Sequence, residues 1–384
     1  MSTSTLPVST IVQVSIAAPQ PGLLTPQVNN ICILDTETPA VPGNLTNNMG
    51  VYSTAQQVGV DWGTSSEAYQ QALMIFQQRP NILAGGGQLI VYHMTGAVGT
   101  LSQGITAVEG LIYVGAYLWA GYAPGNSEIE AAATAVNTLG KMIGCSSYQV
   151  SDLTSSGLFV VLSAANQPSA VQFLYTQAGT ALGARLAMAA AFSAQMSTNF
   201  SGQNTTLNMN LKTLQGVAGD VGITSTVLTA CQGLGVNVYG LIQGVAKWIS
   251  NGGPYNIFWD NVYNLLWFSN ALQISMFNAL AMTSTKIPQT EGGMTVLKNS
   301  VIAVCQQAVI NGFVAPGTWA ATDMFGDTVS FLRNIQQVGY YIWSAPIGQQ
   351  AQNVRVTRAA PLIQLAAKLA GAINTASLLV EINP

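Results

Sequence analysis

Charged side chains are sparse throughout this chain, and their scarcity constrains the fold more than any other feature of the sequence. Only 7% of the 384 residues are Asp, Glu, Lys or Arg, against about 25% in typical soluble domains. A monomer of this size needs charge spread over its surface to stay dispersed. We therefore expect the chain to bury much of its exterior against other copies of itself, as the subunit of a polymer does.

Length and net charge narrow the classes of protein further. A chain of 384 residues exceeds the size at which a single hydrophobic core stops growing, so we expect two domains. The net charge of −3 and the pI near 5.0 give no basic surface of the kind that binds nucleic acid. The sequence therefore predicts no nucleic-acid partner.

The mean hydropathy of +0.35 makes a membrane protein the first alternative. A membrane-spanning helix needs about 20 mostly apolar residues. The best candidate, residues 261–285, is uncharged, but Asn, Ser and Gln interrupt it at spacings that leave only one apolar face. We predict no membrane insertion. Residues 1–9 contain no basic residue before an apolar stretch and so do not resemble a secretory signal, which predicts a cytoplasmic product.

The four cysteines predict neither a metal site nor redox chemistry. Cys32, Cys145, Cys231 and Cys305 are far apart in the sequence, and no C-x-x-C pair is present. Because free cysteine is commonly buried, we interpret all four as reduced thiols in the core.

Both ends of the chain have the pattern of an isolated β-strand followed or preceded by a short linker. The pattern near the N-terminus is carried by Val8, Val12, Val14 and Ile16. The pattern near the C-terminus is carried by Leu378, Leu379, Val380 and Ile382. A Pro- and Gly-rich cluster at 19–22 separates the first strand from the rest of the chain. We predict two extended strand arms, residues 1–20 with their linker and residues 375–384.

Between the arms, short apolar runs alternate with amphipathic helices, which predicts a layered α/β fold. We expect one α/β domain over residues 21–200 and a second domain over residues 201–374, because segment 195–206 is rich in Ser, Thr, Asn, Gln and Gly. The predicted strands of the first domain are 31–34, 88–92, 158–162 and 186–192. Its predicted helices are 65–78, 127–143 and 168–178.

The second domain is predicted to combine short strands with long helices. Its predicted strands are 207–211, 237–242 and 339–344. Apolar stripes predict two long helices, through 265–279 and 294–308, and a last helix that begins at Pro361. The aromatic residues at helical spacing between Trp259 and Phe268 are interpreted as core packing rather than a ligand site.

The sequence offers little for catalysis. His93 is the only histidine, so a multi-histidine metal site is impossible, and we interpret it as a buried or strand-end residue. Asp35 and Glu37 are the closest carboxylates after a strand, and we interpret them as part of a solvated loop. A catalytic pair of carboxylates needs two environments that separate the pKa values, and nothing nearby suggests such environments. Glycines 85–87 precede a strand, which favours a turn over a phosphate loop. No catalytic residue, metal or cofactor is predicted.

Basic residues are concentrated near the C-terminus. Arg355, Arg358 and Lys368 lie within one short stretch, and no acidic residue occurs between Asp327 and Glu381. Two interpretations remain open: a solvated face, or an electrostatic contact for an acidic protein partner, which fixes register and directs association.

Several motifs, taken in order and spacing, resemble the tail sheath proteins of contractile-tailed bacteriophages. The resemblance covers nearly the whole chain and is closest over residues 206–384, whereas residues 100–200 match more loosely. The C-terminal matches are Asn237-Val238-Tyr239, Asp260, Lys286-Ile287-Pro288, residues 311–319, Gly339-Tyr340-Tyr341, Arg355 with Arg358, and residues 368–373. The N-terminal matches are residues 12–16, Pro21-Gly22 and Trp62-Gly63-Thr64.

This resemblance implies a structural, non-enzymatic subunit of a virion. Such proteins stack as six-membered rings into a helical sleeve around a tail tube, and the sleeve shortens to drive the tube through a bacterial envelope. The implied parts are an outer α/β domain, an inner sheath-core domain, and terminal strands that pair with neighbouring subunits. An inward-facing C-terminal helix touches the tube in such proteins, which makes Lys368, and with it Arg358 and Arg355, the expected contact.

The resemblance also implies the partners. These are further copies of the chain, the tail tube protein, and baseplate and tail terminator proteins, with assembly in the cytoplasm of a bacterial host. Two other classes stay open. Another virion component, such as a tail tube or capsid subunit, is the nearest, although long helices disfavour a tube subunit, which is usually small and β-rich. An enzyme of unknown class would be favoured by a monomer with a deep polar cleft.

Overall fold

A computed structural model describes residues 27–96 and 98–376 of the chain. Both predicted arm strands, at 8–16 and 378–382, lie outside the described residues, as does the linker at 19–22. The described chain has the predicted α/β character, with one large mixed sheet and one small sheet.

One sheet of eight strands organises residues 31–249. Its strands are β1 (Ile31–Asp35), β2 (Met49–Tyr52), β3 (Leu89–His93), β4 (Ala116–Ala120), β5 (Met142–Ser147), β6 (Ala170–Leu174), β7 (Asn237–Ile242) and β8 (Val245–Ile249). Their order is β2-β3-β1-β4-β5-β6-β7-β8. The central strands from β3 to β7 are parallel, and the edge strands β2 and β8 are antiparallel to their neighbours. Strands β7 and β8, which follow segment 195–206, therefore complete the same sheet.

Helices cover both faces of this sheet. The helices up to residue 234 are α1 (Ala55–Trp62), α2 (Glu67–Gln77), α3 (Leu101–Glu109), α4 (Asn126–Thr138), α5 (Leu158–Ala164), α6 (Ala181–Gln195) and α7 (Ser225–Leu234). Side chains alternate across β1, so Ile31 and Ile33 pack with α1, α2 and α6, whereas Cys32 and Leu34 pack with the other four helices. A parallel sheet buried on both faces explains why its strands are continuous apolar runs.

Capping residues determine where the predicted helix at 65–78 begins. Ser66 is the N-cap of α2, and its hydroxyl accepts a hydrogen bond from the Tyr69 backbone N–H at 3.2 Å. The helix ends at Gln77, before Pro80, which cannot continue a helical hydrogen-bond ladder. The prediction for this helix is confirmed.

Two long helices follow the large sheet, as the apolar stripes predict. They are α8 (Trp259–Ala281) and α9 (Glu291–Ile310). Trp259 packs against Trp248 of β8 and Phe192 of α6, with ring centroids 5.6 and 5.4 Å apart. The helix pair therefore extends one core of the large sheet, and the interpretation of the aromatic residues as core packing is confirmed.

The last part of the chain contains the small sheet. Its elements are α10 (Thr328–Val338), β9 (Tyr340–Ser344), α11 (Gln352–Val356) and β10 (Ile363–Ala367). The predicted strand at 339–344 is confirmed, whereas the helix predicted from Pro361 is wrong, because strand β10 occupies that place. Antiparallel pairing with β9 overrides the helical spacing of the leucines there.

Three further predictions in the first domain are wrong. Residues 158–162 and 186–192, predicted as strands, lie in helices α5 and α6, and the helix predicted at 168–178 is replaced by strand β6. Helix α6 is rich in alanine and buried on most sides, so it lacks the polar face that identifies a helix. A short apolar run cannot be assigned to helix or strand by periodicity alone. The predicted helix at 127–143 ends at Thr138, and the strand predicted at 207–211 does not form.

Burial determines the chemistry of the thiols. All four cysteines are free and buried, as predicted. Loss of solvation raises the pKa of Cys231 and of Cys305 to about 12 and raises that of Cys32 and Cys145 further. The helices in the described ranges include none that is both long enough and apolar enough to cross a membrane.

Candidate functional site

The small sheet has only two strands in the described part of the chain. Gly339, at a φ of +85°, ends α10 and turns the chain directly into β9. Strand β10 pairs with β9 in antiparallel register, with Tyr341 opposite Ala366. Over the described residues this sheet has two strands, so each strand has an outer edge that no third strand covers. A two-stranded sheet is only marginally stable in water without further support.

One face of the small sheet is covered by α10. Phe331 and Ile335 of this helix are fully buried against Tyr341 and Ala366. The Phe331 and Tyr341 rings meet edge to face with centroids 5.2 Å apart. The opposite side of α10 is exposed and carries Val329, which is 71% exposed. The other face of the sheet, with Tyr340, Ile342 and Leu365, packs against the main core and fixes the sheet to the body of the chain, while its outer edges stay open.

Helix α10 was not predicted from the sequence, although three signals for it are present. Asp327 is the N-cap, and its carboxylate accepts a hydrogen bond from the Ser330 backbone N–H at 2.7 Å. Hydrogen bonding from the Ser330 side chain and backbone lowers the pKa of Asp327. Phe331 and Ile335 are four residues apart, and Gly339 follows the last turn. An N-cap acid, an apolar pair at helical spacing and a C-terminal glycine together identify a helix.

Lys368 lies immediately after β10, at the end of a strand and not on a helix as the resemblance implies. Its backbone N–H donates to Gly339 O at 2.8 Å, and its carbonyl accepts from the Ala315 N–H at 3.0 Å. The side chain lies over Gly317, where an added Cβ would come within 2.7 Å of Lys368 Cε. The ammonium group is half-buried and has no carboxylate partner within the described ranges.

Arg355 and Arg358 lie in a different place. Arg355 is in the last turn of α11, and Arg358 follows with a φ of +59°. The next residue, Ala359, accepts a hydrogen bond from Gln289 Nε2 at 3.4 Å, which places this segment beside the start of α9. Lys368, by contrast, lies beside the chain that leaves the end of α9.

The structure therefore separates the three predicted basic residues into two groups. Helix α9 has 20 residues and is about 30 Å long at 1.5 Å per residue. Strand β10 runs between these two ends, with the arginines before it and the lysine after it. The ion pairs found among the described residues, Lys141 with Glu109 and Arg185 with Glu67, lie elsewhere.

The points where the two arms leave the described fold are held by asparagine side chains. Asn29 is 3% exposed, and its Nδ2 donates to Met196 O at 2.6 Å and to Thr198 O at 2.8 Å. At the other end, Asn208 Nδ2 donates to Asn374 Oδ1 at 3.0 Å, and a second amide, of Asn210, donates to the Asn374 backbone at 3.3 Å. Both arms therefore start from fixed positions.

Acidic residues gather at the carboxyl edge of the large sheet, where β1 has β3 and β4 as neighbours. Asp35 is fully buried, and its Oδ1 accepts a hydrogen bond from the Glu37 N–H at 2.8 Å. Loss of solvation raises the pKa of Asp35 to about 7. The interpretation of Asp35 as part of a solvated loop is therefore wrong, because residues from other elements close over it.

Glu67 and Arg185 fill the space beside Asp35. Arg185 Nε and Nη2 donate to the two Glu67 carboxylate oxygens at 2.5 and 2.8 Å, which ties α2 to α6. The Gly121 N–H donates to Glu67 at 3.1 Å, and an added Cβ on Gly121 would lie 2.6 Å from Asp35. Parallel α/β sheets often bind ligands at this edge, but here the ion pair and the close packing occupy it.

The other predicted candidates lie apart from this cluster. His93 is the last residue of β3, as predicted, and its ring meets that of Trp62 edge to face at 5.9 Å. Burial lowers the pKa of His93. In residues 27–96 and 98–376, no three His, Cys, Asp or Glu side chains are placed to hold a metal ion.

The C-terminal part of the chain is similar to a known protein family. Residues 259–382 match the family model "E217 tail sheath protein gp31-like, C-terminal domain". The predicted resemblance to tail sheath proteins is confirmed. The matched residues contain the α8 and α9 pair and the whole small sheet, so the open-edged sheet lies within the region that is similar to this family. No curated protein sequence matches the chain.

Solved structures share the fold of this chain. A chain of the anti-feeding prophage baseplate aligns with a TM-score of 0.62 and 12% identity, covering 100% of this chain and 99% of that one. A chain of the sheath complex of an extracellular contractile injection system, in its contracted state, aligns with a TM-score of 0.60 and 9% identity over 99% and 98% of the two chains. The sheath tail protein of Desulfitobacterium hafniense aligns with a TM-score of 0.53 and 10% identity over 92% and 100%.

Proposed function

We propose that the chain is the structural subunit of a contractile tail sheath. It stacks as six-membered rings into a helical sleeve around a tail tube, and shortening of the sleeve drives the tube through a bacterial envelope. The chain is assembled in the bacterial cytoplasm and becomes part of the virion, with the tube, baseplate and tail terminator proteins as its partners. It acts mechanically and not as an enzyme.

The open-edged sheet of β9 and β10 is the observation that carries this proposal. Each outer edge offers unpaired backbone groups to an incoming strand. The sequence predicts two strands of the right kind, at 8–16 and 378–382, and the described residues next to them, Asn29 and Asn374, are held by hydrogen bonds. A strand added to a sheet edge gains affinity from its backbone hydrogen bonds and register from its alternating side chains.

Donation of an arm to the next subunit explains a helical sleeve. Because each chain gives a strand and receives one, the contact is head-to-tail, and a head-to-tail contact whose rotation does not close generates a helix. The scarcity of charge supports the same conclusion, since the large uncharged surface is covered by neighbouring copies. Contraction is then a rigid-body movement of folded domains about the linkers at 19–22 and 374–376, with strand pairing kept throughout.

The tube contact is assigned to the basic residues of the C-terminal part. Lys368 is the first candidate, followed by Arg358 and Arg355. None of the three has a carboxylate partner in the part of the chain that the structure describes, so each is available to an acidic protein surface. Their separation along α9 means that they contact two different points of a tube or of neighbouring subunits.

Deletion of residues 1–20 tests the strand exchange. The truncated chain is expected to fold, because every element of the two sheets lies after this segment, but not to form long sleeves. Negative-stain electron microscopy of the purified proteins is the measurement. Normal striated cylinders from the truncated chain would show that the N-terminal strand is not the link between subunits.

Point variants give a matched control for the deletion. The pair Val12→Lys and Val14→Lys changes the apolar face of the predicted strand, whereas Gln13→Lys and Ser15→Lys adds the same charge on the polar face. We expect the first pair to abolish polymerisation and the second pair to preserve it. Equal loss in both pairs would indicate a charge effect and count against a register-specific strand.

A further inference from the structure

A small cavity lies where the start of α8 meets the chain that leaves the end of α9. Its volume is about 50 Å³, and its lining includes Asp260 and Asn264 of α8 and the turn at Gly312. Gly371 and Ala372 also line the cavity, and both are exposed. A group from another molecule can therefore enter the cavity on the side of these two residues.

Two buried acceptor groups in this cavity are incompletely paired. Asp260 and Asn264 are four residues apart and lie on the same face of α8. Asn264 is 4% exposed, and its Oδ1 accepts no hydrogen bond from any residue that the structure describes. Asp260 is 8% exposed, and its carboxylate is partly stabilised by backbone N–H groups of the first helical turn, but it has no ion-pair partner in residues 27–96 and 98–376. A buried carboxylate beside an unused amide oxygen is costly unless a cationic donor joins them.

An arginine suits these acceptors, because its planar guanidinium can donate to a carboxylate and to a second acceptor at once. Three of the five arginines of the chain already have other contacts. Arg79 donates to backbone carbonyls, Arg185 is paired with Glu67, and Arg333 lies near the Asp327 carboxylate. Two arginines are therefore left as candidates.

Of these two, Arg358 is better placed than Arg355. Arg358 is exposed and follows α11, whereas Arg355 is half-buried within that helix. Arg358 lies beside the start of α9, and the cavity lies at the other end of α9, about 30 Å away. A single arginine side chain cannot span this distance. Arg358 can therefore reach such a cavity only in a second copy of the chain.

We propose that Arg358 of one copy enters this cavity of a second copy and donates to the Asp260 carboxylate and to Asn264 Oδ1. The two sites are complementary in charge, which directs association and fixes register. Because they lie at opposite ends of α9, each copy can give one arginine and receive another, and such a head-to-tail contact can continue along a polymer. The inference rests on the proposed sheath polymer and assigns Arg358 to the neighbouring subunit.

A double-mutant cycle on self-assembly tests the contact without the tail tube. Asp260→Asn keeps the shape of the buried side chain and removes its charge, and Arg358→Gln removes the guanidinium. The critical concentration for sleeve formation, measured by sedimentation, is expected to rise about tenfold in each single variant. The double variant is expected to be no worse than either single variant, because all three lack the same contact.

Arg355→Gln is the matched control, since it removes the other candidate arginine of the same segment. Its effect on the critical concentration is expected to be small and to add to that of Asp260→Asn. Denaturant unfolding of Asp260→Asn checks that this variant is folded. Additive effects of Asp260→Asn and Arg358→Gln, or an unchanged critical concentration in either one, would overturn the contact while leaving the sheath proposal intact.

A cross-link gives a second measurement in which both charged residues are kept. Ala372→Cys and Thr357→Cys are made in separate preparations, and both positions are exposed. The four native thiols are buried and can be kept. After mixing and treatment with a short bismaleimide, we expect dimers that contain one copy of each variant. Val329→Cys, at a position 71% exposed on α10, replaces Thr357→Cys in the control and is expected to give none.

The outcomes separate this contact from the proposed function. Dimers in the first mixture but not in the control support the contact, and equal yields or no dimers in both mixtures overturn it. Negative-stain electron microscopy of the natural chain shows separately whether sleeves form. Absence of sleeves would count against the proposed function, whereas the cross-link would still decide whether this contact forms between copies.

Discussion

The large α/β sheet and the small C-terminal sheet differ in how far one chain can complete them. The large sheet has helices on both faces, antiparallel strands at both edges and two partly buried ion pairs within its layers. The small sheet has α10 on one face and packs its other face, with Tyr340, Ile342 and Leu365, against the core that contains α8 and α9. It has two strands with open outer edges, and the basic side chains near it have no acidic partners in the described chain. The first part buries its central strands on both faces, whereas the second is a two-stranded sheet that the proposed strand exchange would extend.

Removal of Glu67 is expected to destabilise the large sheet more than any other single change considered for this chain. The variant Glu67→Ala leaves Arg185 buried without its partner, and loss of one member of a buried pair costs about 3–5 kcal/mol in the free energy of unfolding. Denaturant unfolding followed by far-ultraviolet circular dichroism measures the change. Arg355→Ala is the control and is expected to cost less than about 0.5 kcal/mol, since that side chain has no ion-pair partner in the described chain. Equal costs would contradict the difference between the two parts.

The variant Phe331→Ala tests whether the small sheet is a separate unit of stability. Truncation of this buried ring is expected to cost about 3 kcal/mol, and the effect is expected to stay local. Hydrogen exchange measured by mass spectrometry should show faster exchange in β9 and β10 and unchanged protection in β1 and β4. Loss of protection in both sheets would show that they unfold together.

The pH dependence of stability tests the burial of Asp35 at the edge of the large sheet. Burial raises the pKa of Asp35 to about 7, so the folded chain keeps a proton that the unfolded chain loses near pH 4. The contribution of Asp35 to the free energy of unfolding therefore falls as pH rises from about 4 to 7 and is constant above that. The variant Asp35→Asn removes this loss.

We expect Asp35→Asn to be about 2 kcal/mol more stable than the natural chain at pH 8. A shift of about three pKa units sets an upper limit near 4 kcal/mol, and the buried amide N–H without an acceptor offsets part of it. The advantage should shrink towards pH 4, as measured by denaturant unfolding at both pH values. A difference that is the same at both pH values would contradict the assignment.

The smallest effect on stability is expected at Lys368. Charge reversal in Lys368→Glu should change the free energy of unfolding by less than about 0.5 kcal/mol, while cosedimentation with tail tubes should fall about tenfold. Self-polymerisation should be unaffected. Lys298→Glu on α9 carries the same change elsewhere and is expected to leave tube binding intact. Equal loss of tube binding and self-polymerisation in Lys368→Glu would remove this residue from the proposed tube contact.

Much of the large sheet could be predicted from the sequence, for identifiable reasons. Strand β7 has the predicted bounds, and α2, α8 and α9 were predicted because caps and apolar stripes mark them. Residues in helix α6 are predicted as a strand and residues in strand β6 as a helix. Both elements are largely buried, so neither has the polar face that distinguishes a period of 3.6 residues from a period of 2.

The candidate site could be predicted only in part. The basic residues near the C-terminus were identified, but their separation depends on the path of β10 along α9, which is a tertiary property. The burial of Asp35 likewise depends on Glu67 and Gly121, which belong to other elements. Local patterns identify residue types, whereas such contacts arise only from the complete fold.

The asparagine contacts at the two chain ends have a mechanical consequence. Asn29 is bonded to residues 196 and 198, and Asn374 is bonded to residues 208 and 210, so one short segment joins both exits. That segment is also hydrogen-bonded to the end of α9, where the backbone N–H groups of Asn204 and Thr205 donate to the Ile310 and Asn311 carbonyls. Traction applied at one terminus therefore has a path to the other through residues 196–210, which contain no strand of the large sheet.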